Sequence, residues 1–242
     1  MNDRIVPLMG ASNFRDLGDY PSIDGRRTRW GTLFRSDSLQ SITSADILVL
    51  HSLNLKTVVD LRSHSEIAYS GPGVLENSSF SLIKTDTSTE VAIRPFGFGD
   101  TSLVDVYWNY LTSATPRFVR ALRELSTPEA YPAVVSCFFG KDRTGVLIAL
   151  VLACIGVERD AIIDDYALSA SRMEIIVRRM IEDPIYFETL KLTPGWRLAA
   201  DPSTMSTFMQ RLDQVFGGAR TWALHAGLTD QQLDNLRKTL LE

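Results

Sequence analysis

The segment Cys137-Phe138-Phe139-Gly140-Lys141-Asp142-Arg143-Thr144-Gly145 lies between two apolar runs. Tyr131 to Ser136 before it has strand character, and Val146 to Ile155 after it has helix character. No other feature restricts the fold as much. A strand delivers the cysteine to the top of a sheet. The glycine-containing loop and the helix behind it then turn backbone N–H groups and a positive helix end onto one spot. Arg143, six places past the cysteine, adds a planar fork suited to two phosphate oxygens. The cysteine–arginine spacing alone is a weak signal, but the ordered set of strand, cysteine, glycine, arginine, hydroxyl and helix is a strong one. A buried structural cysteine beside an ordinary turn leaves Lys141, Asp142 and Arg143 unexplained.

The rest of the chain reads as strands separated by helices. Thr43-Ser44-Ala45-Asp46 has the form of a capping box and opens a helix through Leu53. Strands are expected at Thr32–Arg35, Lys56–Leu61, Phe80–Ile83 and Ala133–Ser136. Helices are expected at Ser102–Leu111 and Pro116–Leu125, and past Ile155 at 159–170, 171–181, 203–216 and 229–241. The glycine- and proline-bearing stretch Glu90–Thr101 reads as a mobile loop. The pattern predicts an α/β fold, with a mostly parallel central sheet flanked by helices and a helical C-terminal portion. Without a clear linker, residues 1–242 read as one domain, with a sheet core over about 10–157 and a helical portion over about 158–242.

Composition excludes several functions. A net charge of −4 gives no general attraction to nucleic acid or to acidic membranes. The longest apolar run, Val146 to Val157, is too short to span a bilayer, so no stable membrane insertion is expected. The chain starts without the apolar stretch of a secretory signal, and both cysteines, Cys137 and Cys154, read as thiols. A reducing, cytoplasmic setting is the expectation. His51, His64 and His225 lack ligand spacing, so neither a metal nor another cofactor is expected.

The loop has a definite chemistry. The helix start, the loop N–H groups and Arg143 favour a thiolate at Cys137, and the same donors hold a phosphate above the sulfur. In-line attack on phosphorus gives a phosphocysteine that water then cleaves. Phe138, Phe139, Gly140, Lys141, Thr144 and Gly145 line the phosphate site, the glycines permitting close backbone approach. Thr144 is placed to donate its hydroxyl to the sulfur. Lys141 either adds charge near the phosphate or is solvated. The leaving oxygen needs a proton, for which Asp142 and Asp86 are both candidates.

Several ordered motifs resemble the bacterial tyrosine-phosphatase-like cysteine phosphatases. They are Asn13-Phe14-Arg15-Asp16-Leu17-Gly18, Leu33-Phe34-Arg35-Ser36, Asp60-Leu61-Arg62-Ser63 with Glu66, Gly140-Lys141-Asp142-Arg143-Thr144-Gly145 and Asp165-Tyr166-Ala167-Leu168-Ser169. The resemblance implies a nucleophilic Cys137, a phosphate clamp in Arg143, a general acid in Asp142 and an acidic pocket residue in Asp86. It implies charge-paired scaffolding from Arg15, Asp16, Asp60 and Arg62, and a lid drawn from the helices past Ile155. Phosphotyrosine is the implied substrate, with phosphoserine, phosphothreonine and phosphoinositides also within reach. The chain departs from the family at Ser136, where a histidine is usual, and at Phe139, where a small residue is common. Those departures keep two alternatives open, a phosphatase for a small phosphorylated metabolite and a phosphate-binding module with little catalysis.

Overall fold

The computed structural model describes residues 4–71, 73–88, 102–182 and 193–242. Among them, five strands form one sheet: β1 (Arg15–Asp16), β2 (Leu33–Ser36), β3 (Thr57–Asp60), β4 (Ser81–Lys84) and β5 (Ala133–Ser136). Their order is β1-β2-β5-β3-β4. β2, β5, β3 and β4 are mutually parallel, and β1 alone runs antiparallel, against β2 at the edge. Every residue of β2, β3 and β5 is buried, as helices on both faces of a parallel sheet require.

α1 (Ser44–Ser52) lies between β2 and β3 in sequence, and α2 (His64–Ser70) between β3 and β4. Both begin with a capping box, Thr43 with Asp46 and Ser63 with Glu66. Next come α3 (Leu103–Ser113) and α4 (Thr115–Leu125), then α5 (Asp142–Ile155) directly after the cysteine loop. The remaining helices are α6 (Arg159–Ala167), α7 (Ala170–Ile181), α8 (Gly195–Leu198), α9 (Pro202–Phe216), α10 (Ala219–His225) and α11 (Asp230–Leu240).

The apolar run of α5 is buried along almost its whole length, because helices close on it from several sides. Leu147, Leu150 and Val151 are fully enclosed and share one core with Val59 and Val135 of the sheet and with Met205, Phe208, Leu212, Leu233 and Leu236 of the C-terminal helices. Truncating one such leucine to alanine costs about 2–5 kcal/mol. The helices past Ile155 therefore complete the core that supports the sheet. Phe14, Phe34, Leu50, Val58 and Val134 form a second cluster on the opposite face.

The sequence expectations differ from the structure at five places. β1 was not expected ahead of the Thr32–Arg35 strand. α2, α8 and α10 carry no long apolar period and were not expected. α5 starts at Asp142 rather than Val146, so Asp142, Arg143, Thr144 and Gly145 belong to its first turn. The loop expected at Glu90–Thr101 lies outside the described residues.

Candidate active site

Cys137 follows the central strand β5 immediately, at the carboxyl end of the sheet where open α/β sheets form their crevice. It is a free thiol, 2% exposed. Three successive carbonyls of the next residues are tied to surrounding structure. Ser38 N donates to Phe138 O at 3.0 Å. Asn13 Nδ2 donates to Phe139 O at 3.2 Å and to Gly140 O at 3.3 Å. Arg35 Nη2 also donates to Gly140 O, at 2.7 Å. In a trans peptide the C=O and the following N–H point opposite ways. The amides of Phe139, Gly140 and Lys141 are thus turned away from these anchors, and none has a hydrogen-bond partner among the described residues.

Gly140 makes this path possible. Its φ is +65°, and a Cβ there would lie 2.4 Å from Ser36 O. Gly145 has a milder constraint, since an added Cβ would meet the Tyr166 ring at 3.1 Å. The anchors of the loop are themselves fixed. Arg15 Nε donates to Asp165 Oδ1 at 2.9 Å, and Arg35 Nη1 donates to Asp165 Oδ2 at 2.5 Å. Arg15 also donates to Asn13 Oδ1. Burial raises the Asp165 carboxyl, but the two arginines outweigh it and hold the group down at about 2.

Arg143 lies in the first turn of α5. Its Nη1 and Nη2 each stand 2.6 Å from one carboxylate oxygen of Glu66, and Nη1 donates to Leu61 O at 3.2 Å. Its Nε edge is left without a partner among the described residues. Glu66 in turn accepts from Ser63 N at 2.6 Å, as the acidic member of the α2 capping box. Burial opposes ionisation of Glu66, yet the charge and hydrogen bonds of Arg143 prevail and its carboxyl lies below the usual value. For Arg143, burial works against the charge while Glu66 and then Cys137 favour it, and the guanidinium is held well above its ordinary value.

Asp142 Oδ1 accepts from Tyr107 Oη at 2.7 Å and lies 2.9 Å from Lys141 Nζ. Lys141 is neither solvated nor free. It is fully buried, and its ammonium also donates to Arg197 O at 2.6 Å and Ala199 O at 2.9 Å. Asp86 stands apart from this cluster. Its Oδ2 faces His64 N and Nδ1, at 3.3 and 3.1 Å, and its Oδ1 accepts from Ser88. Burial acts to raise the Asp86 carboxyl, but the bonds from Ser88 and His64 outweigh it, so it lies below the ordinary value. The Thr144 hydroxyl is buried without a hydrogen-bond partner among the described residues, so the expected bond to sulfur is not formed here.

Phe138 and Phe139 pack edge to face, ring centroids 5.0 Å apart, and join Met173, Ile176 and Met180 of α7. The ring of Phe139 thus serves packing. Ser136 lies across from Ser36 and Asp60 in the neighbouring strands. Of the four scaffold residues named from the sequence, Asp60 pairs with Arg62 at 2.8 Å and Arg15 with Asp165. Asp16 instead accepts backbone N–H bonds from Gly18 and Gly31. Asn13, Arg35, Glu66 and Asp165 sat in the quoted motifs without an assigned partner. Tyr107 gave no sequence signal, being one aromatic residue of an apolar helix. Among the described residues, no three His, Cys, Asp or Glu side chains form a metal-ligating group, and no helix is long and apolar enough to cross a membrane.

The sequence matches the family described as "Tyrosine phosphatase family" over residues 6–242. It is 28% identical to the triple specificity protein phosphatase PtpB of Mycobacterium tuberculosis, covering 97% of this chain and 98% of that protein. A tyrosine-protein phosphatase of Nostoc commune is 30% identical over 58% of this chain and 49% of its own length. Among solved structures, the core catalytic domain of the PP-IP phosphatase Siw14 of S. cerevisiae is 17% identical, with a TM-score of 0.42. That likeness covers 74% of this chain and 97% of that one.

Proposed function

The chain belongs to the tyrosine phosphatase family and is a tyrosine-phosphatase-like hydrolase; from that premise we propose that it cleaves phosphomonoesters through a phosphocysteine on Cys137, without a metal ion. The observation that carries this reading is the loop backbone. Carbonyls 138 to 140 are held by outside donors, while the amides of Phe139, Gly140 and Lys141 have no partner among the described residues. Partly buried N–H groups rarely stay unpaired, and an anion in the cradle satisfies them together.

The reaction has two balanced steps. The Cys137 thiolate attacks phosphorus as the bond to the ester oxygen breaks, and that oxygen takes a proton from Asp142. Water then attacks the phosphocysteine, gives its proton to Asp142, and the P–S bond pair returns to sulfur. Arg143 offers its Nε edge to the phosphoryl oxygens while Glu66 fixes the other side of the guanidinium. The lone Thr144 hydroxyl suits the departing sulfur of the second step. Asp86 is the poorer candidate, because its carboxylate oxygens are engaged by His64 and Ser88 away from the Cys137 loop, whereas Asp142 lies within the loop next to Arg143.

The substrate on this reading is a phosphorylated protein side chain. A second anionic group would find no free ammonium at Lys141, whose charge is already bound within the protein. The test is hydrolysis of an aryl phosphate in excess chelator, inhibited by vanadate and abolished by Cys137→Ser. Turnover that survives Cys137→Ser, or that disappears on chelation, contradicts the reading.

A further inference from the structure

Oδ1 of Asp142 is doubly held. The Tyr107 hydroxyl donates to it at 2.7 Å, and the Lys141 ammonium lies 2.9 Å from the same atom. No hydrogen bond occupies Oδ2 among the described residues. The Tyr107 hydroxyl also meets that of Tyr166 at 2.7 Å. A phenol has one proton. Since Tyr107 donates its own to Asp142, Tyr166 is the donor between the two tyrosines, and the chain runs Tyr166 to Tyr107 to Asp142.

Resting on the reading of Asp142 as proton donor, we infer that Tyr107 is a positioning residue for proton transfer, fixing Oδ1 as a permanent acceptor and leaving Oδ2 to carry the proton to and from the reacting oxygen. A protonated carboxyl has one O–H and one carbonyl-like oxygen. The Tyr107 donor and the ammonium charge of Lys141 already beside Oδ1 disfavour a proton there, because it would set a second proton against the hydroxyl donor and the cation. The proton goes to Oδ2 in the first step's acid and again when water is deprotonated in the second. The Tyr107 bond and the Lys141 ion pair at Oδ1 persist through the cycle, so the carboxyl need not rotate between the steps. Burial first, and then the charge of Asp142, push the Tyr107 phenol well above its ordinary value. Tyr107 therefore keeps its proton and works only as a donor. Tyr107 is fully buried and Tyr166 nearly so, and their rings meet edge on, 6.1 Å between centroids, so the pair has little room to turn.

The test compares kcat/KM on nitrophenyl phosphate, whose leaving group hardly needs a proton, with kcat/KM on phenyl phosphate, whose leaving group does. Tyr107→Phe keeps the ring and removes the donor. Both rates are expected to fall, with the loss on phenyl phosphate about tenfold the larger, a part of the range that general acids supply. Asp142→Asn is expected to skew the two rates the same way and further. Equal losses on both substrates for Tyr107→Phe, with Asp142→Asn skewed, overturn the positioning role and leave the acid assignment intact. An unskewed Asp142→Asn removes the acid assignment, and this inference with it. If Tyr107→Phe does not fold, Tyr166→Phe makes the same test: a smaller skew in the same direction supports the chain of donors, and an unchanged ratio overturns it.

Discussion

Arg143 and Glu66 meet through two parallel contacts of 2.6 Å, although 77 positions separate them in sequence. The glutamate is also the acidic member of the capping box that starts α2. One carboxylate thus ties Arg143, the proposed phosphate clamp, to the frame of a neighbouring helix and fixes the direction of the guanidinium plane.

Glu66→Gln keeps the shape but removes the charge and the paired acceptor. The freed guanidinium loses its orientation, and misplacement of a clamp by about 1 Å costs on the order of a hundredfold in rate. Steady-state kinetics should show kcat/KM falling by about that factor, with the fold intact by circular dichroism. Because Glu66 lies below its ordinary value of 4.5 in the folded chain, its contribution to stability is present above that value. The contribution is lost as pH falls through the lower folded value. Denaturant midpoints of the native protein should drop on acidification by more than those of Glu66→Gln. Parallel curves would contradict the coupling.

Asp165 holds two buried arginines together, Arg15 and Arg35, under the Cys137 loop. Asp165→Asn leaves both charges without a counterion, and breaking a buried pair in this way costs about 3–5 kcal/mol. Its carboxyl is lowered to about 2 from an ordinary 3.8, so its stabilisation is complete above 3.8 and disappears as pH falls towards 2. Urea unfolding of the variant at neutral pH measures the loss. A change under about 1 kcal/mol would show that the triad is not a keystone of the loop.

Much of this arrangement was legible in the sequence. Strand β5, the loop from Cys137 to Gly145 and the long helix behind it announced themselves through apolar runs of different length flanking a glycine and an arginine. The Thr43 capping box was visible for the same local reason. The partners of the loop were not legible, because Asn13, Arg35 and Asp165 converge from elements far apart in sequence and no local pattern encodes that distance. The burial of Lys141 was not legible, because it depends on two carbonyls of a segment 56 and 58 residues away. Tyr107 looks like any aromatic residue on an apolar helix until the hydroxyl is located.

Gly140→Ala asks an L-residue to hold φ at +65° with a Cβ 2.4 Å from Ser36 O. The left-handed strain alone costs about 1–3 kcal/mol, and the contact forces the loop to move. Activity should be lost even where the variant remains folded. A folded Gly140→Ala with native kcat/KM would mean that the observed loop path is not needed.

Lys141→Met retains an apolar stem and removes the ammonium that holds Arg197 O and Ala199 O. Residues around α8 should then open more readily. Hydrogen–deuterium exchange should rise in the peptide spanning 195–200 while peptides from β5 keep their protection. Unchanged exchange there would show that other contacts hold the segment.

The most direct measurement is rapid acid quench of the enzyme during turnover of an aryl phosphate, followed by peptide mass spectrometry. One phosphoryl group on the peptide containing Cys137, absent from Cys137→Ser and retained longer when Asp142 is replaced by Asn, is the predicted result. Sustained turnover with no phosphoryl group on that peptide at any quench time, or a phosphoryl group carried on another residue, contradicts the account.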